Sequence, residues 1–599
     1  MIDKDPLAKV LCVDLSSRRY WVEEHRELFE RYLGGAGVAI QLLKEKCVQG
    51  ADPYGSENPI VFAVGPLNGV FPIASKTVAM FKSPLTGNLG ESHAGGRSAV
   101  SIRLAGYGAI VISGSSDIPI YLAINDDKVN FRDASVLWGM GNSYSVGRVI
   151  REREPGAGVR TIMRIGRAGE RLIPYASVIT ETYRHFGRLG LGAVFGSKKL
   201  KALLVSGNRT IRVRDSKIYR QVYNEIFTAL TTSPLMKKYH DLGTPMNVNP
   251  LNEMKALPTR NLQENHFEGA ESISGESFAK NHLGRRIACA HCPVSCIHLG
   301  ALREEYERDP YFYKTKMISY DYELIYALGS MLGICSTTEL LRLFEEVEIH
   351  GLDAMSTGVV LAWATEAQTK GLISEKETLG IVLKWGKSQG YIGAIRFIVN
   401  RSNELYRDLG QGVEYVSKKY GGSEFALSFG GNEMPGYHTG PAAILGHLTG
   451  SRHSHLDSAG YSIDQKAFAK GDRLSPERTA TLLIEEERWR QILSSLVICF
   501  FARAIYTPEI VTKALGVMEW ELTHDDLNKI GAEILKAKYE FKVREGYDSR
   551  KIRIPKRALE TLTPFGLVTE EYLREGVEAY MNQLGLSSEA VEVYSKTSS

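Results

Sequence analysis

The 599-residue chain has no apolar run of the 18 or so residues that a membrane-spanning helix requires, and its opening MIDKDPLAKV holds no apolar signal-peptide core. These absences predict a soluble, unexported protein with no membrane partner. Neither sign of charge is in excess: 73 Lys and Arg face 69 Asp and Glu, a net of +4, and both signs are interspersed throughout. So diffuse a balance gives no footing for a nucleic-acid partner. Cysteine is scarce, at seven residues, and the odd count argues against a disulfide framework and for a reducing, cytoplasmic setting. Internal repeats and low-complexity tracts are also missing.

What is present is a multi-domain globular composition, 43% apolar over a length that one hydrophobic core does not fill. Short apolar runs separated by glycine fill the first two hundred residues (LAKVLCVDLS, NPIVFAVGP, KTVAMFKSP, GAIVISG, IPIYLAIN) and read as strands, closed by KALLVSGNRTIRV. From DSKIYRQVYNEIFTALTTS onward the apolar period becomes 3.6, with amphipathic segments at 323–350, 356–370, 376–388 and 476–506. Gly- and Pro-rich stretches at 242–275 and 420–442 read as boundaries. The fold class is therefore α+β: a β-rich domain at 1–210, then mostly helical domains at 211–425 and 426–599.

Two glycine motifs fail on inspection. Gly34-Gly35-Ala36-Gly37 precedes a helix, but Ile40 stands where a dinucleotide fingerprint has its third glycine. Gly196-Ser197-Lys198-Lys199 lacks the order of a P-loop.

The strongest chemical signal is Cys289-x-x-Cys292-x-x-x-Cys296, three thiols on one tight loop, which a distant Cys such as Cys499 can complete around an inorganic centre. An iron–sulfur cluster suits this spacing best. Zinc is the rival, kept open by His291 and His298. One cluster moves electrons singly, so it calls for a second redox centre or a partner. Lys76, the stretch Lys82 to Arg97, and Arg184 and Arg188 among Gly187, Gly190 and Gly192 set cations beside flexible backbone, as a phosphate or polar heterocycle requires. Hairpin turns with solvated charges would look the same.

LGGAGVA (33–39), GPLNG (65–69), KSPLTG (82–87), HAGGR (93–97), RLAGYGAIVISG (103–114), IGRAGE (165–170), FGRLGLGAVFGSKKLKAL (186–203) and CAHCPVSC (289–296) together resemble the tungsten-containing aldehyde:ferredoxin oxidoreductase family, in order and over nearly the whole chain. The resemblance implies a β domain carrying tungsten, occasionally molybdenum, on the dithiolenes of two pterins, with two helical domains over it. It also implies one [4Fe–4S] cluster and a Mg ion bridging the pterin phosphates. Carried over by motif, Cys289, Cys292, Cys296 and Cys499 would hold the cluster. Lys76 falls where the family often has Arg between pterin and cluster, and His93, beside Gly95, where it usually has Asn near the pterin phosphates; Arg188 matches a phosphate-binding Arg, and Arg184 would join the cofactor contacts.

Each helical domain of the family supplies an Asp-x-x-Gly-Leu-Asp/Cys pterin motif. The first reads here Glu348-Ile349-His350-Gly351-Leu352-Asp353. The second reads Ser494-Ser495-Leu496-Val497-Ile498-Cys499 and keeps only the Cys. Read without the family, Asp353 is an ordinary helix N-cap and Glu323 complements a helix dipole. By resemblance Glu323 would be the general base beside tungsten, with His455 as first choice and His453 as second for the group that polarises a carbonyl oxygen. Tyr320, Tyr322 and Tyr437 add hydrogen bonds or simply pack. The implied reaction is aldehyde oxidation to a carboxylic acid, with electrons leaving to ferredoxin or a small iron–sulfur subunit. Homodimers are common among relatives. The alternatives are a low-potential reductase of aromatic or carboxylic substrates, against which Ser319 stands where such relatives can have Cys, and, remotely, a zinc-stabilised interaction protein.

Overall fold

The computed structural model describes residues 6–586 apart from Ala157, Thr182 and residues 307–308; the opening pentapeptide and the tail of the 426–599 domain lie outside the described residues. Two six-stranded sheets build the N-terminal part. The first, in order β2-β1-β6-β3-β4-β5, comprises β1 (Lys9–Asp14), β2 (Arg19–Glu24), β3 (Ile60–Ala63), β4 (Thr77–Lys82), β5 (Leu89–Ala94) and β6 (Ala109–Ser113). The second, in order β11-β10-β9-β12-β7-β8, comprises β7 (Ile120–Asn125), β8 (Lys128–Asp133), β9 (Val159–Ile165), β10 (Val178–Ile179), β11 (His185–Phe186) and β12 (Leu200–Gly207). Each sheet contains one parallel pair, β1 with β6 and β7 with β12, among antiparallel ones. The central strands β3, β4 and β12 are buried along their whole length, which is why they read as continuous apolar runs.

At Asp215 the chain changes character. Its carboxylate accepts from the amides of Lys217 and Ile218 and so caps the helix Ser216–Thr232. Helices then dominate, with two departures among the described residues: β13 (Leu283–Ile287), β14 (Ile297–Tyr306) and β15 (Asp309–Tyr320) form an antiparallel sheet inside the expected helical domain, and the short strands Ser428–Phe429 and Asn432–Glu433 pair antiparallel. The Tyr, Phe and Ile residues of the three-stranded ribbon favour extended backbone, and its sequence has no clean 3.6 period.

Three helical expectations need correction. Segment 323–350 is two helices, Tyr322–Leu328 and Thr337–His350, separated at Gly329 and at Gly333, whose φ of 70° ends the intervening turn. Segment 376–388 forms turns instead of a helix, because Leu379, Gly380 and Gly386 take φ of 53°, 78° and 79°. Segment 476–506 is helical only over Pro476–Ser495. Among the described residues no single helix is long and apolar enough to cross a membrane; Tyr322–Leu332 and Thr337–His350 together have the composition but meet at 112°.

Two large cores hold the molecule, beside a small one on the second sheet that includes Tyr121, Ile150, Ile162 and Leu204. One joins the N-terminal sheets to residues 492–541, including Ile492, Leu496, Val511 and Phe541. The other spans both helical regions, placing Leu341, Trp363, Leu445 and Leu483 in one apolar cluster across residue 425. Gly35 and Gly65 explain the close docking of the first: a Cβ at either would meet the Ser494 or Ser495 carbonyl at 2.2 Å and 2.5 Å. The glycine turn at 34–37 thus seats the end of a helix.

Candidate functional site

Cys289, Cys292 and Cys296 lie in the connection between β13 and β14, where His291 and Ser295 adopt φ of 56° and 54° and fold the chain tightly on itself. Cys499 follows the helix Pro476–Ser495. A strap from the β domain joins the two segments: Ile73 donates its amide to the His291 carbonyl (3.0 Å) and accepts the Cys499 amide (3.2 Å). Ala290 donates to Gly96 (2.8 Å) and Lys76 to Val497 (3.0 Å). All seven cysteines are free thiols.

Burial opposes the charges of Lys76 and Arg184, yet both pKa values are raised, because the sulfurs of Cys289, Cys296 and Cys499 lie close enough to outweigh it. Burial also pushes the Cys296 thiol up to about 12. A Cβ on Gly95 would stand 2.7 Å from Cys289 Sγ and 3.4 Å from Lys76 Nζ, so any larger residue on this wall of the thiol site would have to displace the sulfur. Among the described residues no three His, Cys, Asp or Glu side chains are grouped to hold one metal ion. Both ring nitrogens of His298 face backbone carbonyls, of Cys296 (3.1 Å) and His240 (3.0 Å), and not the thiols. The Cys292 and Cys296 thiols feel the sulfurs of Cys289 and Cys499, and four neighbouring thiols with two cations suit a polynuclear, anionic cluster better than a single zinc ion.

Beside the thiols lies a cavity of about 350 Å³ lined by Lys76, His93, Gly95, Arg184 and Arg188 from the β domain, Glu348, Leu352 and Asp353 from one helical loop, and Ile498 and Cys499 from another. The two loops share one backbone design. The helix Thr337–His350 ends at Gly351 (φ 73°), closed by the Leu352 amide on the Val347 carbonyl (3.1 Å). The helix Pro476–Ser495 ends with Val497 at φ 55°, closed by the Ile498 amide on the Leu493 carbonyl (2.9 Å). Both closures are of the Schellman type. Asp353 and Cys499 then leave in the extended region, at φ −71° and −69°, as the N-caps of the next helices. The second loop keeps the geometry of the first although Val replaces Gly. Gly351 and Ser494 belong to the loops without lining the cavity.

The polar contacts of the cavity are asymmetric. Glu348 accepts from Tyr144 Oη and lies beside His185 Nε2, each at 3.0 Å. Asp353 accepts from Arg188 Nε (3.0 Å), Ser356 Oγ (2.7 Å) and the Met355 amide (3.0 Å). Arg188 Nη2 donates to the Glu433 carbonyl (2.8 Å), and its buried Nη1 has no hydrogen-bond partner. His93 Nε2 lies 2.7 Å from Glu91, and burial lowers the His93 pKa to about 4, so the ring is neutral. Burial works against the Glu91 charge, but Lys538 (2.5 Å) and Arg452 outweigh it. Orphaned guanidinium N–H, buried cations and a wall without Cβ fit an anionic, phosphate-bearing heterocycle.

At the far wall, Glu323 sits in the first turn of Tyr322–Leu328, behind an Asp321 cap, and His455 opens His455–Ser458, held by a Ser454/Asp457 capping box. His455 Nε2 lies 3.2 Å from Glu323 Oε1. Burial, then the neighbouring Asp321 charge, raises the Glu323 pKa to about 8. Burial, with His447, Arg188, Arg490 and Arg452 nearby, holds the His455 pKa well below the ordinary imidazole range. A protonated carboxyl thus faces a neutral imidazole at neutral pH. The Tyr437 ring packs 4.9 Å from His455 and 5.2 Å from Tyr322, and Tyr322 Oη donates to the Gly436 carbonyl. Tyr320 stacks on Phe278 away from the cavity.

His453 is not brought to this site. Its Nδ1 faces the His447 carbonyl (2.9 Å), its Nε2 lies 3.1 Å from Lys542 Nζ, and it does not line the cavity. The sequence reading also passed over cavity-lining Arg452, Arg490 and Tyr461. Of these only Arg490 carried a usable signal, its position one helical turn before Ser494.

A family model described as aldehyde ferredoxin oxidoreductase, N-terminal domain, matches residues 10–207, and one described as aldehyde ferredoxin oxidoreductase, domains 2 & 3, matches residues 221–594. The chain is 33% identical over 578 residues to the tungsten-containing aldehyde ferredoxin oxidoreductase of Thermococcus kodakarensis, covering 93% of this chain and 92% of the relative. It is 28% identical over 551 residues to the aliphatic sulfonate oxidoreductase, WOR-like subunit, of Pyrococcus furiosus, covering 88% and 84%. Among solved structures, a chain of the active-site complex of benzoyl coenzyme A reductase with 1,5-dienoyl-CoA superposes with a TM-score of 0.79. That match covers 99% of this chain and 98% of the other at 20% identity, a likeness of fold.

Proposed function

The chain belongs to the aldehyde ferredoxin oxidoreductase family of tungsten oxidoreductases, and from that premise we propose that it oxidises an aldehyde to the carboxylic acid and passes two electrons singly to ferredoxin or a small iron–sulfur subunit in the cytoplasm. The observation that carries this reading is the Glu323–His455 pair, 3.2 Å apart in a buried cavity that also contains Cys499 and Lys76.

The Cys289, Cys292, Cys296 and Cys499 sulfurs would hold a [4Fe–4S] cluster, and the two helical loops with Lys76, His93, Arg184 and Arg188 would hold the tungsten bis-pterin. When bound, these groups supply the two-electron acceptor and the one-electron exit. The protein's own part is acid–base chemistry and positioning. Neutral His455 donates a hydrogen bond to the aldehyde oxygen and stabilises the charge that develops there. Glu323, once ionised, removes a proton during hydration of the carbonyl carbon; its raised pKa makes it a stronger base than an exposed carboxylate. Tyr437, packed 4.9 Å from the His455 ring, restricts the pair to one geometry.

Substitution Glu323→Gln tests the assignment, because it keeps shape and removes the base. Tungsten and iron contents should match the native protein while aldehyde-dependent dye reduction falls by roughly a hundredfold or more. Native turnover in that variant would refute the role. The low-potential reductase alternative has less support, because Ser319 supplies no thiol where such relatives can have Cys.

A further inference from the structure

The helix Pro476–Ser495 carries Arg490 one turn before Ser494, on the face that looks toward the second loop. The Arg490 side chain is 2% exposed. Its Nε donates to Glu486 (2.8 Å), its Nη1 donates to the Leu456 carbonyl (2.8 Å), and its guanidinium lies 4.8 Å from the Phe500 ring. The remaining nitrogen, Nη2, is buried, has no hydrogen-bond partner, and belongs to a residue that lines the cavity beside Leu456, Ile498 and Phe500. A buried guanidinium N–H without an acceptor is costly, so the arrangement calls for an anionic oxygen from outside the chain.

Arg188 repeats this arrangement at the first loop. Two of its nitrogens are held by protein oxygens, of Asp353 and Glu433, and Nη1 is left over. The loops therefore match in two respects, a Schellman closure with a left-handed residue and one orphaned guanidinium N–H, and differ in a third. The first loop offers Glu348 and Asp353, whereas Ser494 and Cys499 leave the second with no carboxylate. A ligand made of two similar halves would meet both a carboxylate and a guanidinium on one side and only a guanidinium on the other.

Resting on the bis-pterin reading above, we propose that Arg490 binds a phosphate oxygen of the pterin held at the second loop, taking over the anchoring that Asp353 and Arg188 share at the first. The contact would be a charge-assisted N–H to phosphate hydrogen bond, made by a guanidinium already fixed through its other two nitrogens.

The test uses the tungsten-loaded enzyme purified without oxygen, with Arg490→Gln, Arg490→Lys and Glu486→Gln beside the native chain. Pterin release on dialysis is followed by the fluorescence of its oxidised form, and tungsten by mass spectrometry. Arg490→Gln should release pterin roughly ten- to a hundredfold faster, the loss of one charged hydrogen bond. Arg490→Lys should fall between, having the charge without the fork, and Glu486→Gln should match the native rate because the cavity-facing nitrogen is kept. Native release from Arg490→Gln overturns the proposal. So does native release combined with a raised KM for aldehyde, which would put Arg490 on the substrate. Should Arg490→Gln fail to fold, the Arg490→Lys rate decides. A native enzyme free of tungsten and pterin sinks the parent reading instead.

Discussion

Val497 and Gly351 hold the same left-handed backbone, at φ 55° and 73°, in the two loops that face each other across the cavity. Glycine adopts that region freely, whereas a β-branched residue is strained there by about 1–2 kcal/mol. Val497 is nevertheless fully buried in the core shared with the β domain, and burying its side chain contributes about 1.5–3 kcal/mol. Val497→Gly should therefore lower stability by only about 1 kcal/mol. Gly351→Val should cost at least about 2 kcal/mol, since its Cβ would sit 3.0 Å from the Gly166 amide with no compensating pocket. Thermal midpoints of the two variants check the ordering; equal losses would show the loops to be energetically alike.

His455 and His453 are two residues apart and do different work. His455→Leu, whose side chain has no N–H to offer, should leave the melting midpoint near native and cut turnover by roughly a hundredfold or more, as expected for a lost carbonyl donor. His453→Gln removes the ring beside Lys542 and the His447 carbonyl, so it should lower stability while the folded fraction keeps its turnover. The comparison needs only melting curves and activity normalised to tungsten.

Gly95→Ala places a methyl 2.7 Å from Cys289 Sγ. The loop is tied by the Ala290 amide to the Gly96 carbonyl at 2.8 Å, so the sulfur or this tie has to shift. Iron per chain should fall well below native, with free thiol titre rising in step. Full iron occupancy would mean that the Cys289 loop yields to the methyl and that glycine is not required there.

Glu323 gives a pH signature in the metal-free chain. Burial, then Asp321, raises its pKa from 4.5 to about 8, so between these values the folded state binds more protons than the unfolded. Stability must then fall as pH rises through this window, by up to about 1.4 kcal/mol per pH unit from this one group. Glu323→Gln should flatten that part of the profile relative to the native chain in denaturant titrations at several pH values. Superimposable slopes would count against a buried, proton-holding carboxyl.

Much of this was legible in the sequence, unevenly. The thiol loop announces itself because three sulfurs at tight spacing have few uses, and the β domain because its central strands are apolar along their whole length. The ribbon β13 to β15 escaped because its alternation is interrupted by charge. Segment 376–388 misled because apolar spacing alone does not register two left-handed glycines. In the cavity, Glu323 and His455 were found by motif, but choosing between His453 and His455 needed the fold, since His453 takes φ 54° and turns toward Lys542. Arg490 went unnoticed because periodicity tells which residues share a helix face without telling what that face looks at.

The strap through Ile73 has a consequence for biosynthesis. Its amide meets the carbonyl of His291 and its carbonyl meets the amide of Cys499, so the fourth sulfur is delivered to the other three by a piece of the first domain to leave the ribosome. A cluster held by all four thiols would have to wait until nearly five-sixths of the polypeptide has been translated, with the β platform acting as the jig on which the late segment is registered. Iron insertion would then be a closing step of maturation, out of reach of a prematurely terminated chain.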